Sequence, residues 1–206
     1  MRLYATMYVN SVNFWEELIK MDTVADVRTR LILAGIVELE QHGLRDFSLR
    51  RVAQEAQVSC AAPYRHFRDK EELILAIIAY IRESWELLAD NISSAFADSS
   101  EQRLLNLAVA ALRFWLANGN LRSVLMSGQE ELGEEKKREV NRFDAPILAA
   151  VRTLAAERGV NDSEELAFTV LALVYGTVTL VSCGSVGGSD GEALLRARLC
   201  EMIFAL

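Results

Sequence analysis

Residues 47–73, FSLRRVAQEAQVSCAAPYRHFRDKEEL, constrain the fold of this chain more than any other stretch. They predict two short helices joined by a tight turn, then the start of a third. Ser48 is a good N-cap, and Leu49, Val52, Ala53 and Ala56 follow at helical spacing on one face. Ala56, Gln57 and Val58 form the turn. Ser59 is placed to cap a second helix over 60–67, and Asp69 with Glu72 three residues on forms a capping box for the next. Two short helices joined by a three-to-four-residue turn have helix-turn-helix geometry, in which the second helix can enter a DNA major groove.

The segment resembles the DNA-binding domain of the TetR family of transcriptional regulators. Ser48, Val52, Ala53, Ala56, Val58, Ser59, Tyr64, Arg65, His66, Phe67, Lys70, Glu71, Glu72 and Leu73 carry the match, within about residues 24–82. Three positions depart from the family pattern. Gln57 stands where a turn glycine is usual, Cys60 where a basic residue is common, and Pro63 where an aliphatic is common.

The second helix would present two faces. Phe67 and Val58 should pack against Leu49, Val52 and Ile36. Cys60, Ala61, Tyr64 and Arg65 would face outward, and Ala61 and Ala62 are small enough to let the helix approach base edges. Arg65 alone on this helix can donate a bidentate pair to guanine. Ser48, Ser59, Tyr64, His66 and Lys70 carry donors suited to phosphate oxygens, and Lys70 also sits at a helix start, where backbone amides attract anions. The resemblance implies the same phosphate-contacting roles for Tyr64, His66 and Lys70. The structural alternatives are a core aromatic at Tyr64, a solvated charge at Arg65 and a surface residue at His66. Cys60 reads as a small, weakly polar residue, with a thiol sensor as its rival. With Ser59 as N-cap, Pro63 loses the bond back to the Ser59 carbonyl and stiffens the first turn.

The charge of −7 speaks against a nucleic-acid partner until its distribution is considered. Residues 44–70 hold six Lys/Arg and three acids, a balance of +3; the rest holds 16 bases and 26 acids, a balance of −10. A basic patch on an acidic body discourages non-specific wrapping, and a patch this modest should depend on dimerisation for affinity. Hydrophobic residues make up 51% of the 206, ample for a core, and two prolines with eleven glycines favour helices over a loop-rich β fold. Cys60, Cys183 and Cys200 form no CxxC, and with His42 and His66 they match no zinc spacing, so no metal or cofactor is expected and a reducing cytoplasm fits. His42, before Gly43, reads as part of a helix C-cap.

Residues 1–20 lack a signal peptide's order of basic, apolar and small regions. Trp15-Glu16-Glu17 back-translates to a purine-rich run like a ribosome-binding site ahead of Met21. Residues 1–21 are therefore read as a non-structural or over-called extension, 22–70 as the DNA-binding domain and 71–206 as a helical effector-binding and dimerisation domain.

Along that body, Ile74, Ile77, Ile78, Ile81, Trp85 and Leu88 predict one long connecting helix. Ser99 with Gln102 caps the next, which is apolar on nearly every face to about Asn118. A short helix is expected over 121–126 and another over 132–158, kinked or broken at Pro146. Residues 166–189 carry no charge and pass a crude membrane threshold, but lack Lys/Arg anchors and follow an acidic cap at 162–165. They read as a helix buried between its own domain and a second subunit. The final helix, from about Gly191, aligns Leu195, Leu199, Met202, Ile203 and Leu206. Two such helices from each of two chains would make a four-helix dimer interface, and the resemblance implies the same. Trp85, Phe114, Trp115, Met126, Phe143 and Tyr175 are candidate pocket residues, with plain core as the rival reading. Charges there are sparse (Arg113, Arg122), pointing to a neutral or weakly amphipathic effector.

The fold class expected is all-α, with an N-terminal three-helix DNA-binding domain and a C-terminal helical domain. The function expected is a homodimeric, cytoplasmic regulator, a repressor released from a palindromic operator by a small molecule. The alternatives are a helical small-molecule-binding protein or enzyme that has lost DNA binding, and a structural DNA-binding protein without an effector. Against catalysis, no nucleophile, base and orienting group can be picked out, so no catalytic residue is named.

Overall fold

A computed structural model of the chain describes residues 26–126 and 133–206, which form nine helices and no strand. These are α1 (Val27–His42), α2 (Leu49–Glu55), α3 (Pro63–His66), α4 (Lys70–Ala95), α5 (Ser100–Ala117), α6 (Gly119–Met126), α7 (Gly133–Arg158), α8 (Ser163–Ser182) and α9 (Gly188–Ala205). The all-α expectation holds. The expected N-terminal extension lies outside the described residues. The chain divides into two compact units, Met1–Ser84 with Ala117–Glu139, and Trp85–Leu116 with Val140–Leu206. The boundary expected at 70/71 falls at the first residues of α4, whereas compactness divides that helix at 84/85.

In the first unit, α1 begins at Asp26, whose carboxylate accepts from the Thr29 amide at 2.8 Å. It ends at Gly43, which takes φ +70° and donates to the Leu39 carbonyl at 2.8 Å, a conformation glycine adopts without steric cost. Between those caps Leu31, Leu33, Ala34, Ile36 and Leu39 are fully buried. One charged residue is buried among them. Glu38, 4% exposed, takes the Arg51 guanidinium through Nε at 2.9 and 3.0 Å and Nη2 at 2.5 Å. The same carboxylate accepts the Ser48 amide at 2.9 Å and lies 3.2 Å from His42 Nδ1. Arg51 also donates to the Asp46 carbonyl. The α1–α2 loop and the start of α2 are therefore held by one acidic side chain.

The Ser48 hydroxyl accepts from the Arg51 amide at 3.4 Å, the N-cap that the sequence predicts. After α2 the chain reverses through Gln57, at φ +54° the one non-glycine residue with positive φ among the described residues. Its neighbours close the turn, Ala56 N–H to Val52 O at 2.9 Å and Val58 N–H to Ala53 O at 2.9 Å. The turn needs the conformation that a glycine supplies, and Gln57 adopts it against the steric preference of its Cβ.

One expected helix is much shorter than predicted. The sequence places the second helix over 60–67 with Ser59 as N-cap; α3 covers Pro63–His66, with Ala62 at the N-cap and Pro63 at the first helical position. The Ser59 carbonyl accepts from the Ala62 amide at 2.8 Å, closing a separate turn. Pro63 thus costs no helical hydrogen bond, because the first amides of a helix lack intrahelical partners. The first unit also takes in α6, where Leu121 and Leu125 are buried and the Asn120 amide donates to the Glu40 carbonyl at 2.6 Å. Burial raises the Glu40 carboxyl above its usual range, opposed by the Leu121 and Asn120 amides at the start of α6.

In the second unit α5 is nearly all core: Leu104, Leu105, Leu107, Val109, Leu112, Phe114 and Trp115 are buried. Ser99 caps it through the Gln102 amide at 3.2 Å, as its sequence predicts. Arg158 at the end of α7 bonds Glu101 at 2.5 Å and holds that carboxyl down at about 2. α7 runs on through Pro146, so of the kink or break expected there the break is absent. The proline removes one backbone bond, but Phe143, Ile147, Ala150, Val151 and Leu154 bury the turns on both sides of it, and packing outweighs the loss.

α8 starts at Asp162, whose carboxylate accepts the Glu164 and Glu165 amides at 3.1 and 2.9 Å. It is long and apolar enough to cross a membrane by length and composition. Val170, Val174 and Val178 form a buried stripe on it, as Leu195, Leu199 and Ile203 do on α9. At Gly191 a Cβ would meet Val181 Cγ2 at 2.5 Å, so the start of α9 sits closer to α8 than any larger residue allows. Apart from buried Leu166, the rest of α8 is half-buried or exposed in the single chain, with Phe168 at 74%, so the expected burial on both sides is one-sided here.

Two consequences follow for stability. Glu38→Ala removes the acceptor shared by a guanidinium and a buried amide, and should lower the thermal midpoint by roughly 5 °C or more, with Glu38→Gln milder because it keeps one oxygen. Gln57→Gly should stabilise by about 0.5–1 kcal/mol, since relief of the positive-φ strain exceeds the added chain entropy. Calorimetric melts of the three variants check both.

Candidate nucleic-acid interface

The residues that seat α3 are largely buried, while Tyr64, Arg65 and His66 on it are exposed. Phe67, just beyond the helix, is 2% exposed, beside fully buried Val52 and Ile36, and its amide closes on the Pro63 carbonyl at 2.8 Å. The Arg28 guanidinium of α1 lies 5.1 Å above the Phe67 ring. Leu49 and Val58, expected in the same cluster, are half-buried.

Against that support, Tyr64 is 64% exposed, and Arg65 and His66 are exposed beside it. Ser59, Cys60 and Ala61 precede them in the exposed turn, so six candidates of the sequence analysis, on either side of Ala62 and Pro63, lie on the outer surface of this segment. Ala62 corrects the sequence reading. As the N-cap of α3 it is buried at 9%, so the close approach to a base edge expected of both alanines rests on Ala61.

Ser48 is half-buried and already serves as the cap of α2, which leaves its hydroxyl proton free to donate. Lys70, the first residue of α4, extends its ammonium to the Leu44 carbonyl at 2.7 Å and lies 5.7 Å from the Phe47 ring. Its charge is thereby fixed beside the α1–α2 loop rather than waving in solvent. The capping box at its start is real but shifted: Asp69 accepts the Glu72 amide at 2.9 Å, while Glu72 accepts the amide of Arg68 rather than of Asp69, at 2.8 Å. That amide holds the Asp69 carboxyl below its usual range, with Arg68 adding to the effect from 3.0 Å. Of the six basic residues in this stretch, Arg51 and Arg68 are spent on local acids, leaving Arg45, Arg50, Arg65 and Lys70 as the cationic surface.

The pocket candidates are brought together, in the second unit, as a stacked aromatic core. Trp85, Phe114, Trp115 and Phe143 are each at most 3% exposed. Ring centroids lie 5.2 Å apart for Trp85–Phe114, 5.1 Å for Trp115–Phe143 and 6.0 Å for Trp115–Tyr175, and the Trp85 indole donates to the Phe143 carbonyl at 2.8 Å. The Met126 side chain lies outside the described residues. Sequence reasoning missed the charge at this cluster: the Tyr175 hydroxyl donates to half-buried Asp144 at 2.7 Å. Burial raises the Asp144 carboxyl, the Tyr175 bond opposes that, and burial with the adjacent carboxylate drives the Tyr175 phenol far above its ordinary value. Arg113, expected to mark the local charge, is exposed and paired with Glu192 at 2.6–2.8 Å. Among the described residues no His, Cys, Asp and Glu group could hold a metal ion.

Comparison with known proteins places this geometry. Residues 31–77 match the family model of bacterial regulatory proteins, tetR family. A search of curated proteins finds no match. Among solved structures, a Rhodococcus sp. protein assigned to the TetR-family transcriptional regulators superposes with a TM-score of 0.69 at 22% identity, covering 86% of this chain and 98% of its own. The transcriptional regulator FadR from Bacillus subtilis, in complex with stearoyl-CoA, gives 0.67 at 16% identity over 85% and 96%. NalD, the secondary repressor of the MexAB-OprM multidrug efflux pump in Pseudomonas aeruginosa, gives 0.63 at 21% identity over 87% and 94%. At these identities the structures show a shared fold, while the sequence match falls on the unit that carries α2, the turn and α3. Residues 31–77 thus carry a segment that matches bacterial regulatory proteins of the tetR family, on a chain whose fold is shared with solved transcriptional regulators.

Proposed function

We propose that the protein is a homodimeric, cytoplasmic repressor that binds a palindromic operator and leaves it when a small molecule occupies the second unit. The observation that carries this reading is the contrast at α3, where a rigidly buried support holds an exposed Tyr64, Arg65 and His66. Large exposed aromatics cost solvation and mark contact surfaces. In this reading Arg65 reads a guanine edge, while Ala61 and Cys60 pack against bases. Ser48, Ser59, Tyr64, His66 and Lys70 bind phosphates and fix the register. No catalytic role is assigned.

Dimerisation is supported by the outer faces of α8 and α9, where Phe168, Leu180, Leu194 and Phe204 are 48–74% exposed. These are the helices that the sequence analysis assigns to a four-helix interface. Dimerisation also answers the energetics, since a +3 patch supplies few phosphate contacts and two copies double them. FadR of Bacillus subtilis is seen with stearoyl-CoA and NalD is named a repressor. Both precedents agree with a ligand-released repressor. An effector can shift DNA affinity only by its differential affinity for the two conformations of the dimer, with α4 as the element that runs through both units.

Selection of genomic DNA fragments by the purified protein at near-physiological salt tests the reading, with Tyr64→Ala alongside. Recovery of a short palindrome that the variant fails to retain is the expected result; salt-sensitive, sequence-blind binding would refute it. Tyr64→Ala and Lys70→Ala should weaken binding to all sequences by a similar factor, whereas Arg65→Ala should relax base preference at one position, by about 1–3 kcal/mol. Equal losses on operator and random DNA for Arg65→Ala would remove its reading role.

A further inference from the structure

Resting on the operator reading above, we propose that Arg28, at the start of α1, is a further DNA-contacting residue, whose guanidinium is held over the Phe67 ring and meets an operator phosphate through its N–H donors. Arg28 stands outside residues 31–77, which match the family model, and outside the basic stretch 44–70 counted from sequence. Folding brings it to that stretch all the same. α1 carries the guanidinium to 5.1 Å from the centroid of the Phe67 ring, and Phe67 directly follows exposed His66 at the end of α3. The arginine therefore stands where the run Tyr64, Arg65 and His66 ends, and the operator reading places that run on DNA.

The ring and the phosphate would use different properties of the side chain. A guanidinium over an aromatic ring is attracted by the ring quadrupole without giving up any of its five N–H donors to it. Those donors form the planar fork that fits a phosphate. Arg28 is exposed while the ring beneath it is 2% exposed, so water reaches the guanidinium and not the ring. A guanidinium already placed by the ring also loses less side-chain freedom on meeting a phosphate than one moving in solvent. The acid that begins the same helix, Asp26, is engaged as its cap, accepting the Thr29 amide at 2.8 Å. A further cation matters to this unit, because Arg51 and Arg68 of the basic stretch are paired with Glu38 and Asp69. One more phosphate contact in each protomer adds two to the dimer.

The rival account is a clamp, in which Arg28 only fastens α1 to the end of α3. Arg28→Met separates the two, because a methionine can cover the Phe67 ring without a charge. Affinity of the full-length protein for its selected operator and for random duplex, measured from about 50 to 200 mM salt, gives the slope of log Kobs against log salt. In Arg28→Met the slope should become shallower by about 1.8, from two phosphates per dimer at about 0.9 each. Binding to both DNAs should weaken by a similar factor with base preference unchanged, since phosphates carry no sequence. Arg28→Lys, which keeps the charge, should retain most of the slope. Thermal melts of the free protein read the clamp separately. A wild-type slope in Arg28→Met, whatever its melting temperature, overturns the phosphate contact and leaves the operator reading standing. A wild-type protein that selects no operator and shows no salt slope overturns both. If Arg28→Met does not fold, Arg28→Gln, whose planar amide can lie over the same ring, makes the same comparison.

Discussion

A carboxylate buried in the middle of α1 is the point on which the DNA-binding unit turns. Glu38 sits where the surrounding helix is otherwise Leu, Ile, Val and Ala, and it is buried as deeply as they are. Alone it would be among the costliest residues in the chain. It is tolerated because three donors converge on it from outside α1, the Arg51 Nε and Nη2 and the Ser48 amide, with the His42 Nδ1 3.2 Å away. All three belong to α2 and its cap, so satisfying the charge and placing α2 are one event. An apolar side chain at position 38 could contribute as much burial, but it would leave the loop before α2 to find its own geometry.

From that anchor the placement of α3 follows by short steps. α2 is set by Arg51 and Ser48, the turn at Gln57 reverses the chain, and Phe67 seats the far end of α3 under the Arg28 guanidinium. Only four residues need to be helical because both ends are held from outside: Pro63 fixes its own φ, and Phe67 is pinned by burial. The backbone of so short a segment, held at both ends, has little freedom left to lose. The exposed side chains inherit positions determined by core residues that never approach a phosphate.

This pattern also explains which features could be read from sequence. Ser48, Ser99 and Asp162 declare helix starts because capping is a bond over two or three residues, and each of the three caps is present. The core stripe of α4 was legible for the same reason, since Ile74, Ile77, Ile78 and Ile81 need only a helical period to share a face. The start of α3 was misread because two local signals compete. Ser59 is the better capping side chain, yet proline is suited to the first helical turn, and the backbone obeys the proline. Glu38 and Asp144 gave no local signal at all. Their partners lie 13 and 31 residues away, and a lone acid in an apolar run looks the same whether it is buried or turned to solvent. The positive φ at Gln57 was visible only as a departure from the glycine that the resemblance leads one to expect.

The two buried acids make opposite physical statements. Glu38 is bound by a guanidinium and an amide, with the His42 ring 3.2 Å away, and such a group rigidifies its surroundings. Asp144 is half-buried and met by a hydroxyl alone among the described residues, so its environment costs stability without returning an equal constraint. Were the second unit shaped only for stability, an amide or an aliphatic in its place would serve better. One acid fixes the start of α2 through Arg51 and Ser48; the other fastens α7 to α8 through the Tyr175 hydroxyl at 2.7 Å.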